Sequence, residues 1–202
     1  IATPRKLPYD GQNIIFDLLL LTIFDFLLKN KKWLKELVSN FHEDNTSSHD
    51  IKCNLKNGKI LLVEIKKDEK TWFEKTGNVG IDFISAFKFK SPSLKKKWLN
   101  NSFWIKKESI KDFLKDITIL KMGKIMTCDA DIQVFYLEDH LIKIYDNSKI
   151  QSKDFVNYLR SNYDLRINKK SDYGLDDDWE SAAYFVPIKV DKELFKCEIN
   201  SE

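Results

Sequence analysis

The sequence predicts an α/β fold in which a mixed central β-sheet is flanked by helices. Three observations lead there. Ile14 to Leu28 is a very apolar run with the length of a helix. His49 to Lys67 reads as two alternating strands joined at Asn57-Gly58. The chain beyond them alternates strand-like with helix-like segments. With 202 residues, 43% of them hydrophobic and 13% aromatic, the chain can bury a substantial core and is most simply one domain.

Taken in order, the apolar run comes first. Its fifteen residues are interrupted by Asp17 and Asp25, fall short of the ~20 needed to span a bilayer, and have no small-residue cleavage site behind a basic start. Neither a membrane segment nor a leader is expected. A helix covering one face of the sheet fits better, continuing through Trp33, Leu34, Leu37 and Val38.

The hairpin follows. A three-residue loop of Lys56, Asn57 and Gly58 puts Gly58 at the left-handed position of a bulged turn. That register pairs Ile51 with Val63 and Cys53 with Leu61, and sets Asp50 opposite Glu64. Ile51, Cys53, Leu55, Leu61, Val63 and Ile65 then form one apolar face, and Asp50, Glu64 and Lys66 share the other. A two-residue loop would oppose Asp50 to Ile65 and mix the faces, so the pattern selects the longer loop.

Val79 to Ile84, Ser102 to Lys106 and Ile132 to Tyr136 read as further strands, and Lys107 to Asp116 as a helix. After Ile144 the pattern changes. Ser152 to Ser161 suggests a helix with Phe155, Val156 and Leu159 inward. Residues 169–180 form a polar stretch whose Asp176, Asp177 and Asp178 are expected in a solvated loop. Ala183 to Val190 is a short apolar element in which Pro187 hints at an edge or irregular strand. Residues 1–145 are therefore expected as the core and 146–202 as a helical and irregular extension packed on the same domain.

Composition narrows the function classes. Thirty-four Lys and Arg against 31 Asp and Glu leave a formal charge of +3, too small to argue for nucleic acid by itself. Lys88, Lys90, Lys95, Lys96 and Lys97 do cluster, with Phe87, Phe89 and Trp98 interleaved. This suits a nucleic-acid groove, or equally a solvated basic loop anchored by its aromatics. The three cysteines and three histidines show no zinc spacing and no disulfide framework. His49 adjoins Asp50 but points to the opposite face of a regular strand, which favours a structural role.

Asp50, Glu64 and Lys66 carry the chemistry. Phosphodiester hydrolysis needs a nucleophilic water and relief of charge on the phosphate. A magnesium ion held by two carboxylates supplies both, and an amine beside it can orient water and stabilise developing charge. Whether Lys66 acts as a base stays open. The plain alternative is a cross-strand ion pair on a solvated face, since Glu-x-Lys is common in so charged a chain.

Asp50 followed by Glu64-Ile65-Lys66 resembles the D…(D/E)-x-K signature of the PD-(D/E)XK nuclease superfamily, over roughly Ile14 to Lys121. His49 stands where the family name has Pro, and no Q-x-x-x-Y motif follows Lys66. Thr76-Gly77-Asn78, leading into Val79 to Ile84, is similar to a pattern in small phage-type members. The resemblance implies a restriction-endonuclease-like core and an Mg2+ cofactor, with Mn2+ as substitute. Asp50, Glu64 and the Ile65 carbonyl would be the ligands and Asp50, Glu64 and Lys66 the catalytic set. An acid on the first helix (Asp17, Asp25 or Glu36) sometimes reaches the metal in this superfamily, although capping or solvent-facing roles fit each better.

Lys75, Thr76, Asn78, Lys95 and Lys96 are the expected substrate contacts, and Asp82 either lines the cleft or faces solvent. The expected partner is nucleic acid, DNA by family frequency, without a membrane. The expected setting is the cytoplasm of a bacterial or phage-infected cell, and a homodimer is compatible by analogy. The rivals are a nucleic-acid-binding or assembly protein that does not cut, and an RNA endonuclease.

Overall fold

The apolar stripe forms α1, Tyr9–Asn30, followed after Lys31 by α2, Lys32–Leu37. The computed structural model describes residues 9–44, 49–68, 76–100, 102–137, 141–168 and 179–199. Leu20, Ile23, Phe24, Leu27 and Leu34 are buried. The helical pattern ends one residue earlier than expected: Leu37 is 46% exposed, and Val38 opens β1, Val38–Glu43.

β2, Ile51–Leu55, and β3, Ile60–Asp68, form the predicted hairpin, with Ile51 opposite Val63 and Cys53 opposite Leu61. Gly58 has φ +81°, the left-handed conformation that the turn demands of it. β4 is longer than predicted, Asn78–Phe89. α3, Pro92–Leu99, starts at Ser91, whose hydroxyl accepts from the Leu94 N–H. The strand expected over Ser102 to Lys106 shrinks to β5, Trp104–Ile105. The next helix begins as a single 3-10 turn, Lys107–Ser109, before α4, Ile110–Asp116.

β6, Ile117–Met122, leads through Gly123 into α5, Lys124–Thr127. β7, Ile132–Leu137, and β8, Leu141–Asp146, follow. α6, Asn147–Ile150, and α7, Lys153–Asn162, come next, the latter with Phe155, Val156 and Leu159 buried as predicted. β9, Leu165–Asn168, β10, Glu180–Pro187, and α8, Lys192–Cys197, complete the described chain.

These strands make two five-stranded sheets rather than the single central sheet expected. The first has the order β1-β2-β3-β7-β8 and is mixed, since β3 and β7 run parallel while its other pairs are antiparallel. A parallel pair needs a long crossover, and here β4, β5 and β6 lie within it. The second sheet is antiparallel, in the order β5-β9-β10-β4-β6. Of the edge or irregular strand that Pro187 suggested, β10 is the irregular one, with its register against β4 shifting between Glu180 and Ala183. It lies between β9 and β4, with Pro187 tolerated as its last residue. Residues expected as an extension thus supply β9 and β10 of the second sheet.

Two apolar cores result. α1 and α2 cover the face of the first sheet made by Ile51, Cys53, Val63, Ile65, Ile132, Val134 and Ile144. The other core gathers the second sheet, α4, α7 and α8, together with Phe135 and Tyr145 from the opposite face of the first sheet. Among the described residues no helix is long and apolar enough to cross a membrane.

Candidate active site

The hairpin register decides which side chains meet. Asp50 precedes β2, and its N–H donates to the Val63 carbonyl at 2.9 Å. Its Oδ2 accepts from the Ile65 N–H at 2.7 Å, so the carboxylate lies across the end of the ladder beside Glu64. A strand residue's N–H and C=O point the same way. The Ile65 carbonyl is therefore turned toward the Asp50 edge of β3, the side on which the resemblance expects a third oxygen ligand.

Glu64 is 1% exposed. Its Oε1 accepts from Lys124 Nζ at 2.9 Å, and the same ammonium is 3.9 Å from Asp50 Oδ1. Burial first, and the nearby Asp50 charge second, push the Glu64 carboxyl above the usual carboxylate range against the pull of Lys124 and Lys66. Burial alone would lower Lys124, but its bond to Glu64 and the charges of Glu64 and Asp50 leave it above an ordinary lysine. Lys66, two residues after Glu64, shares its face of β3 and is half-buried.

Beneath Glu64 lies a buried polar network. Gln133 faces Glu64 in the parallel register of β7 and is fully buried. Its Nε2 donates to Asn147 Oδ1 at 2.6 Å and to Cys128 Sγ at 3.3 Å. Asn147 Nδ2 donates to the carbonyls of Ala130 at 2.7 Å and Cys128 at 3.2 Å. Those bonds fix both amides, and Gln133 Oε1 and Glu64 Oε2 are left buried without a hydrogen-bond partner among the described residues. Burial also pushes the Cys128 thiol up, so it serves as a quiet wall of the network.

The structure brings Asp50, Glu64, Ile65 and Lys66 together, and the other described candidates lie outside that hairpin. Thr76 Oγ1 accepts from the Asn78 N–H at 3.2 Å, and Asn78 pairs with Pro187 at the start of β4. Lys95 is paired with Glu180 at 3.0 Å, and Lys96 is exposed on α3, beyond the far end of β4. The aromatics between the lysines are committed to the core: Phe87, Phe89 and Trp98 all pack on Phe113. Of the helix acids, Asp25 pairs with Lys29 at 2.5 Å and Glu36 with Lys32 at 3.8 Å. Asp82 is half-buried and accepts from Ser85 Oγ at 2.8 Å. His49 is buried, with Nε2 3.2 Å from Asp44 Oδ2. Lys75, the Asp17 side chain and the Asp176 to Asp178 run lie outside the described residues.

Sequence reasoning missed Lys124 and Gln133. Lys124 sits on a four-residue helix with no periodicity to single it out among so many lysines. The one available signal for Gln133 was an amide inside the apolar run from Ile132 to Tyr136. No group of three or more His, Cys, Asp and Glu gathers among the described residues, so the acids that meet here are a pair. The donor set nonetheless suits a hard cation: carboxylate oxygens from two elements, a carbonyl aimed at the same edge, and a buried Glu64 oxygen with no proton donor. In comparisons with known proteins, no family, curated protein or solved structure matches the chain.

Proposed function

We propose that this protein is a metal-dependent endonuclease of the PD-(D/E)XK type that hydrolyses phosphodiester bonds, in DNA before RNA. The observation that carries the proposal is the buried Glu64 carboxylate, held beside Asp50 and on one face with Lys66 at the junction of the two sheets. Burying Glu64 beside a second acid is costly unless a cation is part of the design. Asp50 and Glu64 would hold Mg2+, with the Ile65 carbonyl as third donor. When bound, the ion would supply water activation and charge neutralisation.

The chain's own groups do the rest. The Ile65 N–H fixes the Asp50 carboxylate, and the Glu64 backbone is locked in the β3–β7 ladder. Lys66 presents an ammonium on the same face, where it can orient the attacking water and stabilise the charge that develops on the phosphate.

The test is cleavage of supercoiled plasmid, linear duplex, single-stranded DNA and RNA with Mg2+, Mn2+ or EDTA. Cutting that requires the metal and falls by about 10²–10³-fold or more in folded Glu64→Ala and Lys66→Ala variants is expected. No cutting of any substrate, together with no metal binding that depends on Asp50 and Glu64, would overturn the proposal in favour of a non-cleaving binding or assembly protein.

A further inference from the structure

We infer that Lys124 is the resident counter-ion of the Asp50–Glu64 pair, and that it couples the binding of a divalent cation to the binding of a nucleic-acid phosphate. The inference rests on the nuclease reading above and adds a regulation of the same site.

The geometry begins with charge. Asp50 and Glu64 contribute two negative charges to the face, and Lys66 and Lys124 two positive ones, so the site is neutral before any ion arrives. Lys124 Nζ lies 2.9 Å from Glu64 Oε1 and 3.9 Å from Asp50 Oδ1, the position between two acids that a cation would take. A divalent ion sharing that space with the ammonium would meet strong repulsion at close range. One of the two must leave.

Lys124 is the group able to go. Its side chain is 44% exposed, whereas that of Glu64 is 2% exposed. The backbone beneath it is fixed: Gly123 N–H donates to the Phe83 carbonyl at 2.9 Å. A β-carbon added to Gly123 would stand 1.9 Å from the Asp82 carbonyl oxygen, so the chain is packed directly on β4. The movement is confined to the lysine side chain, which swings toward solvent at the mouth of the site.

With the divalent ion bound, the face and its displaced lysine together carry two surplus positive charges, one of them on Lys124, and a phosphodiester offers a partner to the freed ammonium. The cation therefore binds weakly alone and tightly with nucleic acid, and by linkage the nucleic acid binds more tightly with the cation.

Calorimetric titration of Mn2+ into the full chain tests this, with and without a short duplex carrying nuclease-resistant phosphorothioate linkages. For the wild type, the duplex is expected to tighten Mn2+ binding by about tenfold or more. Lys124→Met is expected to bind Mn2+ about tenfold more tightly than wild type without the duplex, and to lose most of the coupling. Lys121→Met, which removes a charge from the exposed end of β6, is expected to match wild type, and Lys124→Arg to keep the coupling. Circular dichroism checks folding, with Lys124→Gln as the second variant should the methionine fail. Equal or weaker Mn2+ binding by folded Lys124→Met or Lys124→Gln, with wild type still binding through Asp50 and Glu64, overturns this inference and leaves the nuclease reading standing. Absence of Mn2+ binding in every protein, with or without the duplex, overturns this inference, and joined with no cutting of any substrate it overturns the nuclease reading as well.

Discussion

On one face of the β3–β7 ladder, Val63, Ile65, Ile132 and Val134 lie under α1 and are at most 8% exposed; on the other, Glu64 and Gln133 are 1% and 0% exposed. Burial is the same and the chemistry opposite. The apolar face needs no explanation beyond removal of hydrocarbon from water, at roughly 25 cal/mol per Å². The polar face has lost water and recovered only part of its hydrogen bonding, because Glu64 Oε2 and Gln133 Oε1 have no partner among the described residues. A sequence selected for stability alone would place aliphatic residues at both positions. Retained cost of this kind is what supports the metal-site reading proposed above.

The contrast predicts different responses to mutation, and the largest belongs to the apolar face. Phe24 is fully buried between α1 and the sheet and packs edge-on against Phe41 at 4.8 Å. Phe24→Ala is expected to cost about 3–5 kcal/mol in urea unfolding and to leave metal binding by the folded fraction unchanged. Altered metal affinity in that fraction would show that the two faces are not independent.

The network beneath the polar face is expected to respond less. Asn147→Ala strips partners from Gln133 and from the carbonyls of Cys128 and Ala130. The expected loss is about 1–3 kcal/mol, with weaker cation binding because Gln133 no longer has a fixed orientation under Glu64. A variant as stable as wild type would mean that water restores the lost bonds.

The smallest effect on stability has the opposite sign. Because Glu64 titrates above the usual range in the folded chain, the fold holds that proton more tightly than the unfolded chain does. The stability so gained is complete below the ordinary glutamate value and is lost as pH rises through the raised one. At neutral pH the ionised group is a net cost. Glu64→Gln should therefore melt at a higher temperature than wild type at pH 7, with the gap closing on acidification, while cleavage is lost. A lower melting temperature at pH 7 would mean that Lys124 outweighs the burial of Glu64.

The same two faces explain what could be read from sequence. The Asn57-Gly58 turn and strict alternation fixed the hairpin register, and with it the meeting of Asp50, Glu64 and Lys66. The apolar run of α1 announced its buried role. Lys124 escaped notice because proximity to Glu64 is created by a crossover through β4, β5 and β6 of the second sheet, and no local period encodes that. The central place of β10 escaped because Pro187 reads as a sign of an edge or irregular strand, although at a strand's last position it costs the ladder little. Phe87, Phe89 and Trp98 carried two readings in sequence, and packing on Phe113 selects the anchoring one.

The central place of β10 has a consequence for how the molecule is made. On a ribosome the first sheet has all its strands once Asp146 has emerged, but β4, twelve residues long, waits with one edge open until Glu180–Pro187 follows. During that interval Val79, Ile81 and Phe83 belong to a core still missing β9, β10 and α8, and a nascent chain in this condition is a target for chaperones and for aggregation. Phe135 and Tyr145, on the Glu64 side of the first sheet, wait for the same late arrivals. Birth order thus separates the two sheets: the one bearing the carboxylates is laid down early, and the body that seals its Glu64 face comes last.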